Sequence, residues 1–167
     1  MMNTTSMNFT DKSTLYSYMK VRLKGLIDGV PHLLADFANT SALLYEFLPD
    51  INWAGFYFMK DGQLVLGPFQ GKPACVEIKT GSGVCGTAVK EQRPIVVKDV
   101  HKFPGHIACD SASRSEIVIP IHVGHKIIGV LDIDSPSLCR FDDEDLNGLL
   151  SIVEILEQHI SPLVNLR

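Results

Sequence analysis

Residues 116–134, EIVIPIHVGHKIIGVLDID, contain two runs of mostly aliphatic and β-branched residues that are separated by Gly124-His125. Two such runs on either side of a two-residue turn with glycine predict a β-hairpin. Both faces of the two strands are largely apolar, so we expect the hairpin to lie in the middle of a sheet that helices cover. The chain is therefore predicted to fold around a central sheet.

Three long helices are predicted outside the sheet, because apolar residues recur at helical spacing. The first, LYSYMKVRLKGLI, can be capped by Thr10 and ends at Asp28-Gly29. The second, PHLLADFANTSALLYEFL, has Pro31 in its predicted first turn. Near the end of the chain, RFDDEDLNGLLSIVEILEQHI has acidic residues before a long apolar stripe, which predicts the last helix.

Four further strands and a short helix are predicted between the second helix and the hairpin. NWAGFYFMK and QLVLGPF flank an Asp61-Gly62 turn, and CVEIK and PIVVKDV predict two short strands. Glycines in TGSGVCGTAVKEQR predict a loop that feeds a short helix with Cys85 in its first turn. VHKFPGHIACDSASRS has neither helical nor strand periodicity and is expected to form a long functional loop. The order of elements indicates an α+β fold.

Length and composition restrict the class of protein. The 167 residues suit one domain, which we expect over residues 11–167 after a flexible tail over residues 1–10. The net charge of −4 arises from mixed acidic and basic residues without a basic patch, so no nucleic-acid partner is expected. The apolar runs are too short for a membrane span, and MMNTTSMNFTDK lacks the features of a secretory signal. We expect a cytoplasmic protein that does not bind membranes.

The cysteines are the residues most suited to chemistry. Thiols in a reducing cytosol stay free unless they are catalytic, redox-sensing or metal-bound, and the chain has no CxxC motif. Cys109 lies in the long loop, where it can be exposed and reactive, and is the leading nucleophile. Cys75 precedes a strand, and Cys85 opens a helix whose dipole lowers a thiol pKa; either could resolve an oxidised Cys109 as a disulfide. The alternative is three unrelated buried cysteines, and Cys139 has no predicted role.

Acidic residues at the end of the last strand indicate a polar site. Asp132 and Asp134 alternate with apolar residues and so project from one face, roughly 6.6 Å apart at ~3.3 Å per residue. Neighbouring carboxylates raise one pKa, which gives a proton donor, while the ionised partner can bind an ammonium group. If the strand has already ended, both side chains merely face water. Glu116 could join them, but the simple register of the turn places it opposite Ile133 on the other face, unless a bulge intervenes.

Two aromatic residues share a face of the first strand. Trp53 and Tyr57 are four positions apart, and they form either the wall of an apolar pocket or plain core. No metal is expected, because His101 and His106 in HKFPGH have no familiar ligand spacing.

Several motifs resemble the free methionine-(R)-sulfoxide reductases from about Ile51 to the last helix: NWAGFYF, LVLGPFQGKPAC, GVCGTAV, DVHKFPGHIACDSASRSEIVIPI and IIGVLDIDS. The resemblance implies a single GAF domain, with a central six-stranded antiparallel sheet flanked by N- and C-terminal helices. It implies a redox set made of Cys109, Cys85 and Cys75. It also implies a bulge or a late ladder start, and a substrate site made of Trp53, Tyr57, Glu116, Asp132 and Asp134.

The function that this resemblance implies is reduction of free L-methionine-(R)-sulfoxide. Cys109 attacks the sulfoxide sulfur, a carboxylic acid protonates the oxygen, and Cys75 or Cys85 captures the sulfenic acid as a disulfide. No bound cofactor is expected, and thioredoxin or another external dithiol recycles the enzyme. Which cysteine attacks first stays open, as does the oligomeric state, for which a homodimer is one expectation. The alternative is a non-catalytic GAF module that binds a small ligand or senses redox state.

Overall fold

The computed structural model describes residues 9–105 and 110–164. Its elements in chain order are α1 (Lys12–Ile27), α2 (Leu33–Phe47), β1 (Trp53–Lys60), β2 (Gln63–Gly71), β3 (Glu77–Lys79), α3 (Gly83–Glu91), β4 (Ile95–Val97), a 3-10 turn (Val100–Lys102), β5 (Ser115–Val123), β6 (Lys126–Ser135) and α4 (Asp143–Val164). The strands form one antiparallel sheet in the order β3-β2-β1-β6-β5-β4. The predicted α+β class and six-stranded antiparallel sheet are confirmed.

The two faces of the sheet pack against different helices. One row, Phe56, Leu131 and Ile119, crosses β1, β6 and β5 and lies in the cluster that α1, α2 and α4 cover. The opposite face carries Tyr57 and Val130, which pack in a second cluster with residues of α3. Because both faces of the central strands are buried, their sequences are apolar throughout rather than alternating. None of the helices in the described ranges is long and apolar enough to span a bilayer.

The helix boundaries differ slightly from the predicted ones. Asp11, not Thr10, caps α1, and its side chain accepts a hydrogen bond from the Thr14 backbone N–H at 2.7 Å. Aspartate is the stronger capping residue of this adjacent pair. Pro31 precedes the N-cap His32 rather than lying in the first turn of α2. The predicted end of α1 is confirmed.

The register of the β5–β6 hairpin corrects the one derived from its turn. The two-residue turn forms as predicted, but the register shifts between Ile121 and His122. Glu116 consequently pairs with Asp134 and not with Ile133. A shift of one residue moves a side chain to the other face of the sheet, so Glu116 lies on the same face as the aspartates. The bulge that the resemblance implied is confirmed, and the simple ladder is wrong.

Candidate active site

An acidic row, made of Glu116 on β5 and Asp132 and Asp134 on β6, lies beside Trp53 of β1 on the face that α3 covers. Trp53 of β1 pairs with Asp134 of β6, which pairs with Glu116 of β5 on its other side. Asp132 lies two residues away on β6 and so points to the same face. Glu116 is 6% exposed and Asp132 is 7% exposed, so these carboxyl groups do not simply face water.

One pocket collects most of the residues that the sequence singled out. Its lining includes Trp53, Tyr57, Cys85, Glu116, Asp132 and Asp134. Gly83 and Val84 of the first turn of α3 also line it, as does the Pro73-Ala74 segment before β3. The pocket therefore lies between the acidic row, an aromatic wall and the start of α3.

Burial raises the pKa values of all three carboxyl groups of the acidic row. It raises the pKa of Glu116 and of Asp134 well above the ordinary carboxyl value, and the nearby Asp132 charge adds to both effects. Burial also raises the pKa of Asp132, to about 6, while hydrogen bonds with Cys85 and Glu116 oppose the rise. Asp132 is thus the first of the three to ionise as the pH rises. The row thus places the charge of Asp132 beside two carboxyl groups whose raised pKa values favour the protonated, proton-donating form.

The Cys85 thiol behaves differently from the prediction. Cys85 does lie in the first turn of α3, but its side chain is buried, and its Sγ–H faces Glu116 Oε1 at 4.0 Å. Burial raises the pKa of this thiol, and the charges of Asp132 and Glu116 raise it further. The prediction that the helix dipole lowers it is wrong, because loss of solvent and neighbouring carboxylates outweigh a partial positive charge.

The aromatic wall is both core and pocket lining. The rings of Trp53 and Tyr57 stack with centroids 5.9 Å apart, and Trp53 also stacks on Phe69 at 5.2 Å. Their polar ends hold the chain between β2 and β3: Trp53 Nε1–H donates to the Lys72 carbonyl at 3.1 Å, and the Tyr57 hydroxyl donates to the Cys75 carbonyl at 3.0 Å. The wall thereby positions the segment that carries Cys75.

The described cysteines are in two different states. Cys75 is disulfide-bonded, whereas Cys85 and Cys139 are free thiols. Cys139 is exposed and is not part of the pocket lining. Cys109, the predicted nucleophile, lies outside the described residues, as does His106. His101 pairs with Asp99 on the surface of the 3-10 turn.

Three residues at the site were missed by sequence reasoning. The Asn52 side-chain amide donates to Asp110 Oδ2 and to Ser113 Oγ, each at 3.1 Å, and Ser113 in turn hydrogen-bonds to Asp134. Asp110 also accepts from the Ala112 backbone N–H at 2.9 Å, a local turn that the DSAS sequence could have indicated. Nothing in the local sequence indicates the contacts of Asn52, because they join residues far apart in the chain.

Lys72 lies at the rim of the pocket, where its Nζ is 3.5 Å from Asp110 Oδ1. This ion pair joins the segment before β3 to the loop before β5. Its lysine side chain is mostly exposed, so the pair contributes little to stability by itself.

Comparison with known proteins gives a consistent match. The family model for the GAF domain matches residues 24–160. A relative from Escherichia coli named free methionine-R-sulfoxide reductase is 56% identical over 148 residues, which cover 89% of this chain and 90% of the relative.

Solved structures agree with this match. The fRMsr of Staphylococcus aureus in complex with substrate has a TM-score of 0.85 and 52% identity, over 93% of this chain and 99% of that one. The free methionine-R-sulfoxide reductase from Neisseria meningitidis in complex with its substrate has a TM-score of 0.92 and 38% identity, over 99% and 100% of the two chains.

Proposed function

The chain belongs to the free methionine-R-sulfoxide reductases, a family of GAF domains, and from this premise we propose that it reduces free L-methionine-(R)-sulfoxide to methionine. The observation that carries the proposal is the buried acidic row beside an aromatic wall. A zwitterionic amino acid with an apolar side chain and a sulfoxide oxygen needs these surfaces together: apolar contact, negative charge and a proton donor.

In the proposed complex, the methylthio end of the substrate packs against Trp53 and Tyr57. Asp132, which ionises first, supplies negative charge for the substrate ammonium group. Glu116 or Asp134, whose raised pKa favours the protonated form, protonates the sulfoxide oxygen as it leaves the substrate sulfur.

We assign the redox steps to Cys109 and Cys75. The Cys109 thiolate attacks the sulfoxide sulfur, and the protonated oxygen is then transferred to the Cys109 sulfur as the substrate S–O bond and the transient S–S bond break. Methionine leaves, reduced by two electrons, and Cys109 is oxidised by two electrons to a sulfenic acid. The Cys75 thiol then attacks the sulfenic sulfur, which forms a disulfide and releases water. Support comes from the disulfide state of Cys75 and from the free state of Cys85 and Cys139, which leave Cys109 as the proposed partner.

Cys85 takes a supporting role in this scheme. A buried thiol with a raised pKa is a poor attacking group, because the thiolate is the nucleophile. We propose that it remains a thiol and holds Glu116 and Asp132 in place by hydrogen bonding. An external dithiol, for which we propose thioredoxin, then reduces the disulfide without any bound cofactor. The homodimer, the cytoplasmic location and the extent of the N-terminal tail stay predictions.

The first experiment measures methionine production from free L-methionine-(R)-sulfoxide, with dithiothreitol or thioredoxin as reductant. The free S-epimer and a peptide-bound sulfoxide are assayed in parallel. We expect turnover of the free R-epimer alone. Absence of turnover, together with tight binding of a different small molecule, would instead identify a non-catalytic ligand-binding module.

The second experiment separates the cysteine roles in a single turnover without reductant. We expect Cys109→Ser to release no methionine, and Cys75→Ser to release one equivalent and to accumulate a sulfenic acid that dimedone traps. Cys85→Ser should still form the disulfide, and Cys139→Ser is the matched control outside the pocket. If Cys75→Ser still closes a disulfide and Cys85→Ser does not, the resolving role belongs to Cys85.

A further inference from the structure

Three buried side chains on different elements offer ligand atoms of the kinds that zinc takes in proteins. Cys85 of α3, Glu116 of β5 and Asp132 of β6 each contribute one such atom, and the three atoms lie within 4.8 Å of one another. Zinc binds cysteine sulfur and carboxylate oxygen, and its structural and catalytic sites are mostly tetrahedral.

The spacing of these atoms is close to what a tetrahedral ion requires. With Zn–S of about 2.3 Å and Zn–O of about 2.1 Å, the sulfur and oxygen ligands of one zinc ion are about 3.6 Å apart. Cys85 Sγ and Glu116 Oε1 are 4.0 Å apart. A contraction of about 0.4 Å, within reach of side-chain rotation, would bring them to that bonding geometry.

An orphaned oxygen independently points to a cation. Asp132 is 93% buried and lines the pocket, and its buried Oδ1 has no hydrogen-bond partner among the residues that the structure describes. Leaving a carboxylate oxygen buried and unsatisfied is unfavourable, and a bound cation would satisfy it.

We propose that Cys85, Glu116 and Asp132 form a zinc-binding site at the floor of the pocket. Zn²⁺ displaces the thiol proton, the displaced protons go to solvent, and no electron transfer is involved. Three protein ligands leave a fourth position, directed to the pocket, for water or a small ligand. The metal site does not depend on the proposed reaction. Its consequence does: if the pocket binds methionine sulfoxide, Zn²⁺ excludes the substrate and inhibits reversibly.

The test measures metal binding directly in the full chain carrying Cys75→Ser, Cys109→Ser and Cys139→Ser, so that Cys85 is the only thiol. Co²⁺ is titrated as a spectroscopic probe, and Zn²⁺ affinity is measured by competition with a chromophoric chelator. We expect one equivalent of each metal and a thiolate-to-cobalt charge-transfer band in the near ultraviolet. Absence of that band, which would mean that the metal binds without the Cys85 thiolate, overturns the proposal.

Variants in the same background test the ligands. Cys85→Ser and Asp132→Asn should each weaken Zn²⁺ binding by more than about 100-fold, the upper effect of losing an outer-shell partner. Asp134→Asn is the matched control, because it removes a neighbouring carboxyl group of the same strand that is outside the group of three; we expect less than about a 10-fold change. Equal losses of Zn²⁺ affinity in Asp132→Asn and Asp134→Asn, or Zn²⁺ binding that survives Cys85→Ser, would refute the assignment of these ligands.

Two further measurements distinguish loss of the zinc site from misfolding of a variant and from absence of reductase activity. Circular dichroism verifies the fold of each variant. Zinc binding without any reductase activity would leave the metal site intact while the proposed reaction fails. In an active enzyme, Zn²⁺ should raise the KM for methionine sulfoxide without lowering kcat; inhibition that excess substrate does not relieve would contradict a shared site.

Discussion

Replacing Asp132 by Asn is expected to stabilise the protein at pH 8 and to have little effect at pH 4. Burial raises the pKa of Asp132 from 3.8 to about 6, so between these values the folded protein binds a proton that the unfolded chain has lost. The free energy of unfolding therefore falls as the pH rises through this range. Above pH 6 a shift of about 2 pKa units corresponds to about 3 kcal/mol of lost stability.

The magnitude follows from what asparagine changes at this position. Asn stays neutral at every pH, so it removes the unfavourable ionisation, while its amide N–H groups need acceptors near Glu116 and Cys85. We allow about 1 kcal/mol for imperfect pairing of these donors. The net gain is then about 2 kcal/mol at pH 8, or roughly 4–8 °C in Tm for a chain of this size.

The assay is urea unfolding of the wild type and the Asp132→Asn variant at pH 4, 6 and 8, with the cysteines in one redox state. Asp142→Asn is the matched control, because Asp142 is more than half exposed and a hydrogen bond from Lys12 lowers its pKa to about 2. The Lys12–Asp142 ion pair contributes to the free energy of unfolding above pH 4, and this contribution is lost as the pH falls towards 2. The control variant is therefore expected to be slightly less stable than the wild type at pH 8. An Asp132→Asn variant that is destabilised at pH 8, or stabilised equally at all three pH values, would refute the reasoning.

Single substitutions test how two helix glycines pack and whether Tyr57 positions the segment that carries Cys75. Gly148→Ala puts a methyl group into the Tyr16 ring, and we expect urea unfolding to show a loss of about 1–3 kcal/mol. Gly25→Ala, whose added Cβ meets nothing within 4 Å, should instead gain about 0.5–1 kcal/mol, and a similar loss in both would contradict the packing. Tyr57→Phe removes the hydrogen bond to the Cys75 carbonyl. We expect it to cost about 1 kcal/mol and to slow disulfide closure after a single turnover; an unchanged closure rate would show that this bond does not position the segment.

Local sequence patterns were sufficient for the elements of the fold. The Asp61-Gly62 turn is an example, because its two residues adopt positive φ angles of 50° and 84° between the two predicted strands. Such turns, helical periodicity and helix-ending glycines act within a few residues, so they can be read without knowing what packs against them. The N-cap of α1 could not be read in this way, because Thr10 and Asp11 can both cap a helix and only the structure shows that Asp11 does so.

The acidic row shows where local patterns were insufficient. The turn alone predicted that Glu116 faces away from the aspartates, and the bulge near His122 reversed this. A bulge depends on how β5 fits both neighbouring strands, so its position is not contained in the turn. The family resemblance had implied such a bulge, because it groups Glu116 with the two aspartates.

The chain's own sequence thus determined most of the helices, strands and turns, and it indicated candidate residues for the site. Only the tertiary structure decided how those side chains behave. Cys85 opens a helix, which by itself favours the thiolate, yet burial against Glu116 and Asp132 raises its pKa. The contacts of Asn52 with Asp110 and Ser113 likewise join distant segments. Ionisation and hydrogen bonding depend on what surrounds a group in space, and those surroundings come from elements that are remote in the sequence.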